Sequence, residues 1–259
     1  MIDSSYALAG ALTGFVIGLT GVGGGALMTP ILLIFFNVSP TTAIATDLWF
    51  AAITKLVGTT SHYTSGNVDW QVAIRLWKGS IPIALLTVLF ISMGANVSKL
   101  DWLTRVISAV VLITALGLLF APKLRAFALS LRIVQPERFL SLQPPLTVIS
   151  GAVLGLCVAL TSVGAGALGS VVLLYLYPLR MTPHRLVATD IVHAIPLALV
   201  AGLGYLFAGM VDWMMLLSLL MGSIPTVLLG SKLAGMVSGR WIQLALAVIL
   251  CIVGLKIFF

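Results

Sequence analysis

An internal repeat constrains this chain most, because four short motifs of the first half return in the same order in the second half. TGVGGGAL at 20–27 recurs as TSVGAGAL at 161–168. Three further motifs recur at nearly the same displacement, namely SPTTAIATD (39–47) as TPHRLVATD (182–190), GNVDW (66–70) as GMVDW (209–213), and GSIP (79–82) as GSIP (222–225). The shared order and the near-constant displacement predict a duplicated unit of about 120 residues.

The hydropathy of the chain places both units in a membrane. The 259 residues are 60% hydrophobic and only 8% charged, whereas soluble domains carry about 25% charged residues. Apolar stretches of about 20 residues, the length that crosses a bilayer, recur from end to end. The sequence therefore predicts an all-α polytopic membrane protein. Its net charge of +7 then indicates basic loops on the cytoplasmic face rather than a nucleic-acid partner.

The two units are joined at residues 122–144, which contain three prolines and four basic residues. This composition is typical of a polar connection, and we expect this linker to be cytoplasmic. The predicted domains are therefore a first membrane repeat at 1–121 and a second membrane repeat at 145–259.

The first apolar segment of each unit, at 5–37 and 145–178, is too long for one span and too short for two spans with a turn. Glycines divide each segment into pieces of about 16 and 12 residues, which as helices reach roughly 24 and 18 Å. Each segment is either a re-entrant hairpin of two part-length helices or one long kinked span. Three helices are predicted to follow in each unit, at 41–64, 70–95 and 101–121 and at 184–208, 213–235 and 240–258.

The basic loop residues distinguish these two topologies. If every segment spans, the two faces receive seven and six basic residues, which is no bias. If both interrupted segments are re-entrant, ten share one face and only Lys99, Arg105 and Lys256 lie opposite, as the positive-inside rule expects. We therefore expect six full spans and two re-entrant hairpins, with both termini outside. Three spans per unit would make the units inverted repeats, the arrangement of secondary transporters.

The glycine clusters at the two hairpin tips are the predicted substrate site. Non-helical backbone at membrane depth is tolerated where it lines a cavity, and the helix that starts after each cluster presents unpaired N–H groups and a positive dipole end. Two such ends near the membrane centre favour an anion. The predicted substrate-binding residues are Thr20, Gly21, Gly23, Gly24, Gly25, Thr161, Ser162, Gly164 and Gly166. Close helix packing is the alternative role of these glycines.

Four titratable residues lie inside the predicted membrane helices and are candidates for proton coupling or gating. Asp47 and Asp190 end the repeated ATD motif, and each either carries a coupling proton or bonds loop amides at a hairpin tip. His193 lies on the same helix face as Asp190, where it either relays protons or packs as a hydrogen-bonded residue. Lys55 is either a countercharge for an anion, a partner of Asp47, or a side chain that reaches the interface.

Local signals at the helix starts have structural interpretations. Ser39 and Thr182 precede prolines and are predicted N-caps. The VDW motifs at 68–70 and 211–213 combine a helix-start aspartate with an interfacial tryptophan, which indicates an anchor rather than a site. No P-loop lysine motif, HExxH, CxxC or GxSxG pattern occurs, so we expect no enzyme activity, no metal and no cofactor.

The sequence resembles the sulfite exporter TauE/SafE family of bacterial and archaeal membrane permeases. The resemblance covers nearly the whole chain and rests on GLTGVGGGALMTPIL, SPTTAIATD, SGNVDW with GSIP, and their second-half counterparts. In the second half Ser162 and Ala165 replace Gly21 and Gly24, which predicts an asymmetric site.

This resemblance implies a secondary transporter that exports small sulfur-containing anions, such as sulfite or organosulfonates, across the cytoplasmic membrane of a prokaryote. Proton coupling and alternating access are part of this expectation. The alternatives are a passive anion channel or uniporter, and an importer of a related small anion. The expected partners are the anion, the lipid bilayer and a second copy of the chain in a homodimer.

Overall fold

The computed structural model describes residues 3–20, 25–62, 68–92, 101–134, 136–164, 166–234 and 239–258, and within them it is all-helical without a strand. The helices are α1 (Ser4–Thr20), α2 (Gly25–Phe35), α3 (Pro40–His62), α4 (Trp70–Ser92), α5 (Asp101–Val134), α6 (Pro136–Thr161), α7 (Ala167–Leu176), α8 (Pro183–Phe207), α9 (Trp213–Leu233) and α10 (Gly239–Phe258). The bounds of α3, α4, α8, α9 and α10 agree closely with the sequence-based helices.

The join between the two units differs from the expectation, because the described part of the linker is helical. Helix α5 continues to Val134 instead of ending near residue 121, and α6 begins at Pro136 instead of residue 145. Proline is compatible with the first turn of a helix, as at the start of α6, and neighbouring helices permit it inside membrane helices. The cytoplasmic position of this linker stays a prediction.

The interrupted segment of the second unit folds back on itself. The Gln143 side-chain amide donates to the Leu176 carbonyl at 2.7 Å, and the Thr147 hydroxyl lies 2.7 Å from the Tyr177 hydroxyl. These contacts join the first part of α6 to the end of α7. One continuous kinked helix would hold these residues far apart, so α6 and α7 form an antiparallel hairpin.

The interrupted segment of the first unit makes the corresponding contact. The rings of Tyr6 and Phe36 stack with their centroids 4.4 Å apart, which joins the start of α1 to the end of α2. Phe36 and Tyr177 occupy equivalent positions when the two glycine clusters are aligned. Helices α1 and α2 are therefore antiparallel, as α6 and α7 are, and the depth of the two hairpins in a membrane stays a prediction.

Five segments of the described chain are long and apolar enough to cross a membrane, namely Trp70–Ser92, Leu103–Ser130, Leu140–Thr161, His184–Phe207 and Trp213–Leu233. Four of them belong to α4, α5, α8 and α9, which are among the six expected spans. The fifth belongs to α6. This helix has 26 residues, more than the roughly 16 predicted for the first part of the second hairpin, because it starts at Pro136 rather than at residue 145. Helices α2 and α7 have only 11 and 10 residues, close to the predicted second pieces.

The two units are interlocked rather than folded side by side. Helix α1 of the first unit packs along α9 of the second, and α6 of the second packs along α4 of the first. Helices α3 and α8 also contact each other, as do α5 and α10. Each unit therefore buries its helices against the other unit, and α3 and α8 bring their polar residues to the contact between the units.

Glycines outside the GVGGG cluster allow the closest helix contacts. A Cβ atom at Gly10 would collide with the Leu219 carbonyl, and one at Gly151 would collide with the Leu76 carbonyl. The repeat relates these two contacts, because Gly10 aligns with Gly151 and Leu76 aligns with Leu219. Small residues at such positions let helix backbones approach each other in a membrane, and here they allow the α1–α9 and α4–α6 pairs to pack in the same way.

Apolar side chains cover the outer faces of this helical assembly. Leu86, Phe90, Phe207 and Ile252 are all more than 60% exposed. Exposed apolar surface of this extent is typical of a membrane face. The charged residues Asp47, Lys55 and Asp190 are instead buried between the helices.

Candidate functional site

Equivalent caps position α3 and α8 at the site. The Thr182 hydroxyl accepts the Arg185 backbone N–H at 3.4 Å, with Pro183 in the first helical position. The Ser39 hydroxyl accepts the Thr42 backbone N–H, also at 3.4 Å. Both predicted N-caps are confirmed. Because the two helices start alike, each carries its ATD aspartate at the eighth position, about two turns beyond the cap.

Asp47 is bonded to the second helix of the first hairpin. Its Oδ2 accepts the Thr29 backbone N–H at 3.2 Å and the Thr29 hydroxyl at 2.6 Å. The carboxylate is completely buried, and its Oδ1 has no hydrogen-bond partner among the described residues. Asp47 therefore holds α3 against α2 through a residue within the helix, whereas the structural alternative drawn from the sequence was a bond to loop amides at a hairpin tip.

Asp190 lies against the second helix of the other hairpin but is held differently. A Cβ atom at Gly169 of α7 would stand 2.5 Å from Asp190 Oδ1, so glycine lets the carboxylate reach the helix. Within the described chain neither carboxylate oxygen has a hydrogen-bond partner. Its charged neighbour is Lys55, whose Nζ lies 3.8 Å from Asp190 Oδ2.

Lys55 therefore forms its ion pair with the aspartate of the other unit. The alternatives drawn from the sequence were a pair with Asp47, a position at the interface, or a countercharge for an anion. The Lys55 side chain is 3% exposed, so it does not reach the interface. Its ion pair is with Asp190 because the crossing of α3 and α8 brings these two residues together.

His193 lies on the Asp190 face of α8 and is completely enclosed. Its Nε2 is 3.0 Å from the Ser80 hydroxyl of α4, and its backbone carbonyl accepts the Trp77 indole N–H at 3.3 Å. Its Nδ1 has no hydrogen-bond partner among the described residues. The ring is therefore fixed on one side by a hydrogen bond and has one unused polar atom on the other.

The tip of the second hairpin is a short non-helical turn. Ser162, Gly164 and Gly166 have φ values of 57°, 124° and 143°, a region that favours glycine. The Thr161 hydroxyl accepts the Val163 backbone N–H at 3.0 Å and donates to the Cys157 carbonyl at 2.7 Å. Thr161 therefore orders the turn with its own side chain.

Ser162 carries the second hydroxyl of this turn. Its Oγ is buried and has no hydrogen-bond partner in the part of the chain that the structure describes. The side chain lies close enough to Asp47 to interact with it. Gly166 is the N-cap of α7, so Ser162 and the start of α7 belong to the same turn.

The tip of the first hairpin is described only at its edges. Thr20 ends α1, and its hydroxyl donates to the Val16 carbonyl at 2.9 Å. Gly25 is the first residue of α2. Gly21, Gly23 and Gly24 lie outside the described residues, and their role in substrate binding stays a prediction.

Sequence reasoning did not select Thr29 or Ser80 as functional residues. Thr29 lies in an otherwise apolar helix and is identified only by its contact with Asp47. Ser80 and Ser223 belong to the GSIP motif that occurs in both units, and this repetition was the available signal. Ser223 lies 3.2 Å from the Thr54 hydroxyl of α3, so both serines contact a helix of the other unit.

The VDW motifs are helix starts, as predicted, but one of them also carries an ionic cluster. Asp212 caps α9 through the Met215 backbone N–H at 2.9 Å. Asp69 lies at the corresponding position before α4. Its Oδ2 is 2.5 Å from Arg180 Nε and 3.3 Å from Arg185 Nη2. This cluster joins the connection between α7 and α8 to the start of α4.

The described residues contain no group of three His, Cys, Asp or Glu side chains that could hold a metal ion. Cys157 and Cys251 are free thiols. The candidate site is a set of buried polar side chains between helices of the two units.

Comparison with known proteins identifies the family. The chain belongs to the sulfite exporter TauE/SafE family, whose model matches residues 6–257, and the predicted family is confirmed. No solved structure matches the chain.

Several bacterial proteins are similar over most of the chain. A Bacillus subtilis protein named "Probable membrane transporter protein YjnA" is 37% identical across 98% of both chains. A second from the same organism, "Probable membrane transporter protein YdhB", is 26% identical across 96% of this chain and 97% of its own. A "Probable membrane transporter protein" of Haemophilus influenzae is 32% identical across 61% of this chain and 58% of its own. The protein is thus a multi-pass prokaryotic membrane transporter.

Proposed function

We propose that this protein is a secondary transporter that exports small sulfur-containing anions, such as sulfite or organosulfonates, across the cytoplasmic membrane. Transport proceeds by alternating access between two inverted repeats, and one carboxylate, Asp190, couples it to protons. The observation that carries the proposal is the buried Lys55–Asp190 pair, which joins the two units beside a hairpin tip.

The Lys55–Asp190 pair is suited to exchange one anion for another. At 3.8 Å the contact is loose, and neither Asp190 oxygen has a hydrogen bond within the described chain. A buried charge is costly without a partner. When Asp190 takes a proton, its negative charge beside Lys55 is lost and a substrate anion takes its place, so proton and anion bind together.

The second hairpin tip supplies further recognition of an oxyanion. The Ser162 hydroxyl is buried beside Asp47, and α7 begins at the same turn with its positive dipole end. Sulfite and sulfonate groups carry several oxygens that accept hydrogen bonds at once, which a hydroxyl, an ammonium group and a helix start can satisfy together.

The packing of the two units supports alternating access. Each unit contributes one hairpin and the helix that its aspartate occupies, and matching helix pairs join the units. A rocking motion of one repeat against the other would expose the central site to each side in turn. Because proton and anion move together, net export requires an outward anion gradient that exceeds the opposing proton gradient, and the family description names an exporter.

The test is flux in proteoliposomes. Sulfite, sulfoacetate and taurine are each measured with and without an imposed pH gradient, in the wild type and in the matched variants Asp190→Asn and Asp47→Asn. We expect one anion whose flux follows the proton gradient, at least a hundredfold loss in Asp190→Asn, and a change within about tenfold in Asp47→Asn, since an Asn carbonyl still accepts the Thr29 hydrogen bonds.

Other results would contradict parts of the proposal. Flux that ignores the pH gradient would indicate a channel or uniporter and would assign both carboxylates structural roles. Equal losses in both aspartate variants would contradict the selection of Asp190. Absence of flux for every sulfur anion would contradict the substrate class.

A further inference from the structure

We infer that Ser80 is a positioning residue for anion binding. Its hydroxyl holds His193 in the tautomer with the proton on Nδ1, and this N–H is a donor to an oxygen of the transported anion. The substrate part of this inference rests on the proposed function, while the tautomer is a property of the protein alone.

The contact between Ser80 and His193 joins the two units in the interior. Ser80 belongs to α4 of the first unit and His193 to α8 of the second, and both residues are at most 1% exposed. The Ser80 hydroxyl lies 3.0 Å from Nε2. The Trp77 indole, one helical turn earlier on α4, holds the His193 backbone carbonyl, so the ring has little freedom to leave this position.

The tautomer follows from counting partners for the polar atoms. If Nε2–H donated to Ser80, both the serine hydrogen and the Nδ1 lone pair would be buried without a partner among the described residues. If the Ser80 hydroxyl donates to Nε2, only Nδ1–H lacks a partner. Since each unpaired buried polar group is costly, the second arrangement is favoured, and it leaves a donor.

The unpaired Nδ1–H belongs to the same central site as Lys55. His193 shares its helix face with Asp190, whose carboxylate is 3.8 Å from the Lys55 ammonium. Lys55 is also close enough to His193 to act on the ring electrostatically. An oxyanion that takes the place of Asp190 beside Lys55 would therefore lie on the helix face of His193, where one of its oxygens can accept from Nδ1–H.

The repeat provides a matched control for Ser80. Ser223 is the equivalent serine of the second GSIP motif and also makes a buried hydrogen bond across the unit boundary, to Thr54 at 3.2 Å. The residue equivalent to His193 in the first unit is Phe50. Ser223→Ala therefore removes a similar hydrogen bond without affecting an imidazole.

The first experiment measures the tautomer directly. The full chain with ¹⁵N-labelled histidine is studied by NMR in nanodiscs, and His193→Gln assigns the His193 signals. We expect a protonated Nδ1 and an unprotonated Nε2 in the wild type, a changed spectrum in Ser80→Ala, and a wild-type spectrum in Ser223→Ala. A protonated Nε2 in the wild type, or a His193 spectrum unchanged by Ser80→Ala, would overturn the inference.

The second experiment measures transport of the anion that the wild type carries. We expect Ser80→Ala to raise KM about tenfold with a maximal rate within about twofold, because loss of one hydrogen bond to an anion weakens binding by about this factor. Ser80→Thr, which keeps the hydroxyl, and Ser223→Ala should both stay within about twofold. Equal effects of the two alanine variants would overturn the substrate contact.

The two experiments also separate this inference from the proposed function. If the wild type carries no sulfur anion, the proposed function and the substrate contact both fail. The NMR spectrum still decides whether Ser80 positions the His193 ring. Thermal unfolding of each variant in detergent identifies any that has failed to fold. If Ser80→Ala is one of them, Ser80→Cys takes its place, because its S–H is only a weak hydrogen-bond donor.

Discussion

The two ATD aspartates occupy equivalent positions in the repeats and are held in different ways. Asp47 accepts two hydrogen bonds from Thr29 of its own unit, whereas Asp190 has Lys55 of the other unit as its charged neighbour. The Lys55 position is Ala198 in the second unit, so the pair has no counterpart. One aspartate is hydrogen-bonded to a hairpin helix of its own unit, and the other forms an ion pair with the opposite unit.

The frame around these residues is, by contrast, nearly the same in both units. The backbone N–H of Asp69 donates to the Thr189 hydroxyl at 3.0 Å, and that of Asp212 donates to the Thr46 hydroxyl at 3.2 Å. Each of these contacts joins a backbone N–H to a threonine hydroxyl, so it can persist while other side chains of the two units differ. The two units therefore share these helix-start contacts but differ in the buried polar residues between them.

Loss of Lys55 should break this asymmetry with the largest effect. In Lys55→Met the buried Asp190 carboxylate loses its countercharge, and we expect the free energy of unfolding to fall by about 3–5 kcal/mol. SDS titration in detergent micelles measures this change. The double variant Lys55→Met/Asp190→Leu should recover most of the loss, because it removes both charges. Equal stability of the single and double variants would show that the pair is not coupled.

Thr29 should have the next largest effect, on the side of Asp47. Thr29→Val removes the hydroxyl donor at 2.6 Å, and we expect a loss of about 1–3 kcal/mol because a buried carboxylate oxygen loses a hydrogen bond. Ser170, the matched position of α7, donates to the Ala167 carbonyl of its own helix turn, so Ser170→Ala should change stability by less than about 0.5 kcal/mol. The same unfolding measurement compares the two variants, and a larger effect of Ser170→Ala would contradict the assignment.

The VDW aspartates should show the smallest difference. Asp69→Asn weakens the contacts with Arg180 and Arg185, whose side chains are 38% exposed, and we expect a loss of about 1 kcal/mol. Asp212→Asn should be nearly neutral, since asparagine caps a helix as well as aspartate does. Thermal unfolding at low and at high salt measures both, and the effect of Asp69→Asn should shrink at high salt. An effect that is independent of salt would exclude an ionic origin.

The sequence alone determined the elements and their duplication. Apolar runs fixed the positions of most helices, because a helix in a membrane must be long and apolar. The Ser39–Pro40 and Thr182–Pro183 pairs predicted the starts of α3 and α8, because an N-cap and a first-turn proline are recognised from adjacent residues. The second glycine cluster marked a hairpin turn, since only glycine readily adopts the φ values found at Gly164 and Gly166.

Helix ends without a strong local signal were predicted less well. The prolines at 122 and 144 suggested a linker, but α5 and α6 continue through them. Proline removes one hydrogen bond and does not by itself end a membrane helix, because neighbouring helices satisfy the backbone. The sequence therefore predicted where the two units join but did not predict that the described residues of the join are helical.

Only the tertiary structure decided which polar groups meet. Lys55 and Asp190 lie in different halves of the sequence, as do Ser80 and His193, so no local spacing relates either pair. The partner of a buried charge is set by the contact between α3 and α8. Gly10 and Gly151 let two other pairs of helices from opposite units, α1 with α9 and α6 with α4, pack closely. The repeat predicts two equivalent aspartates, and the packing of one unit into the other makes them different.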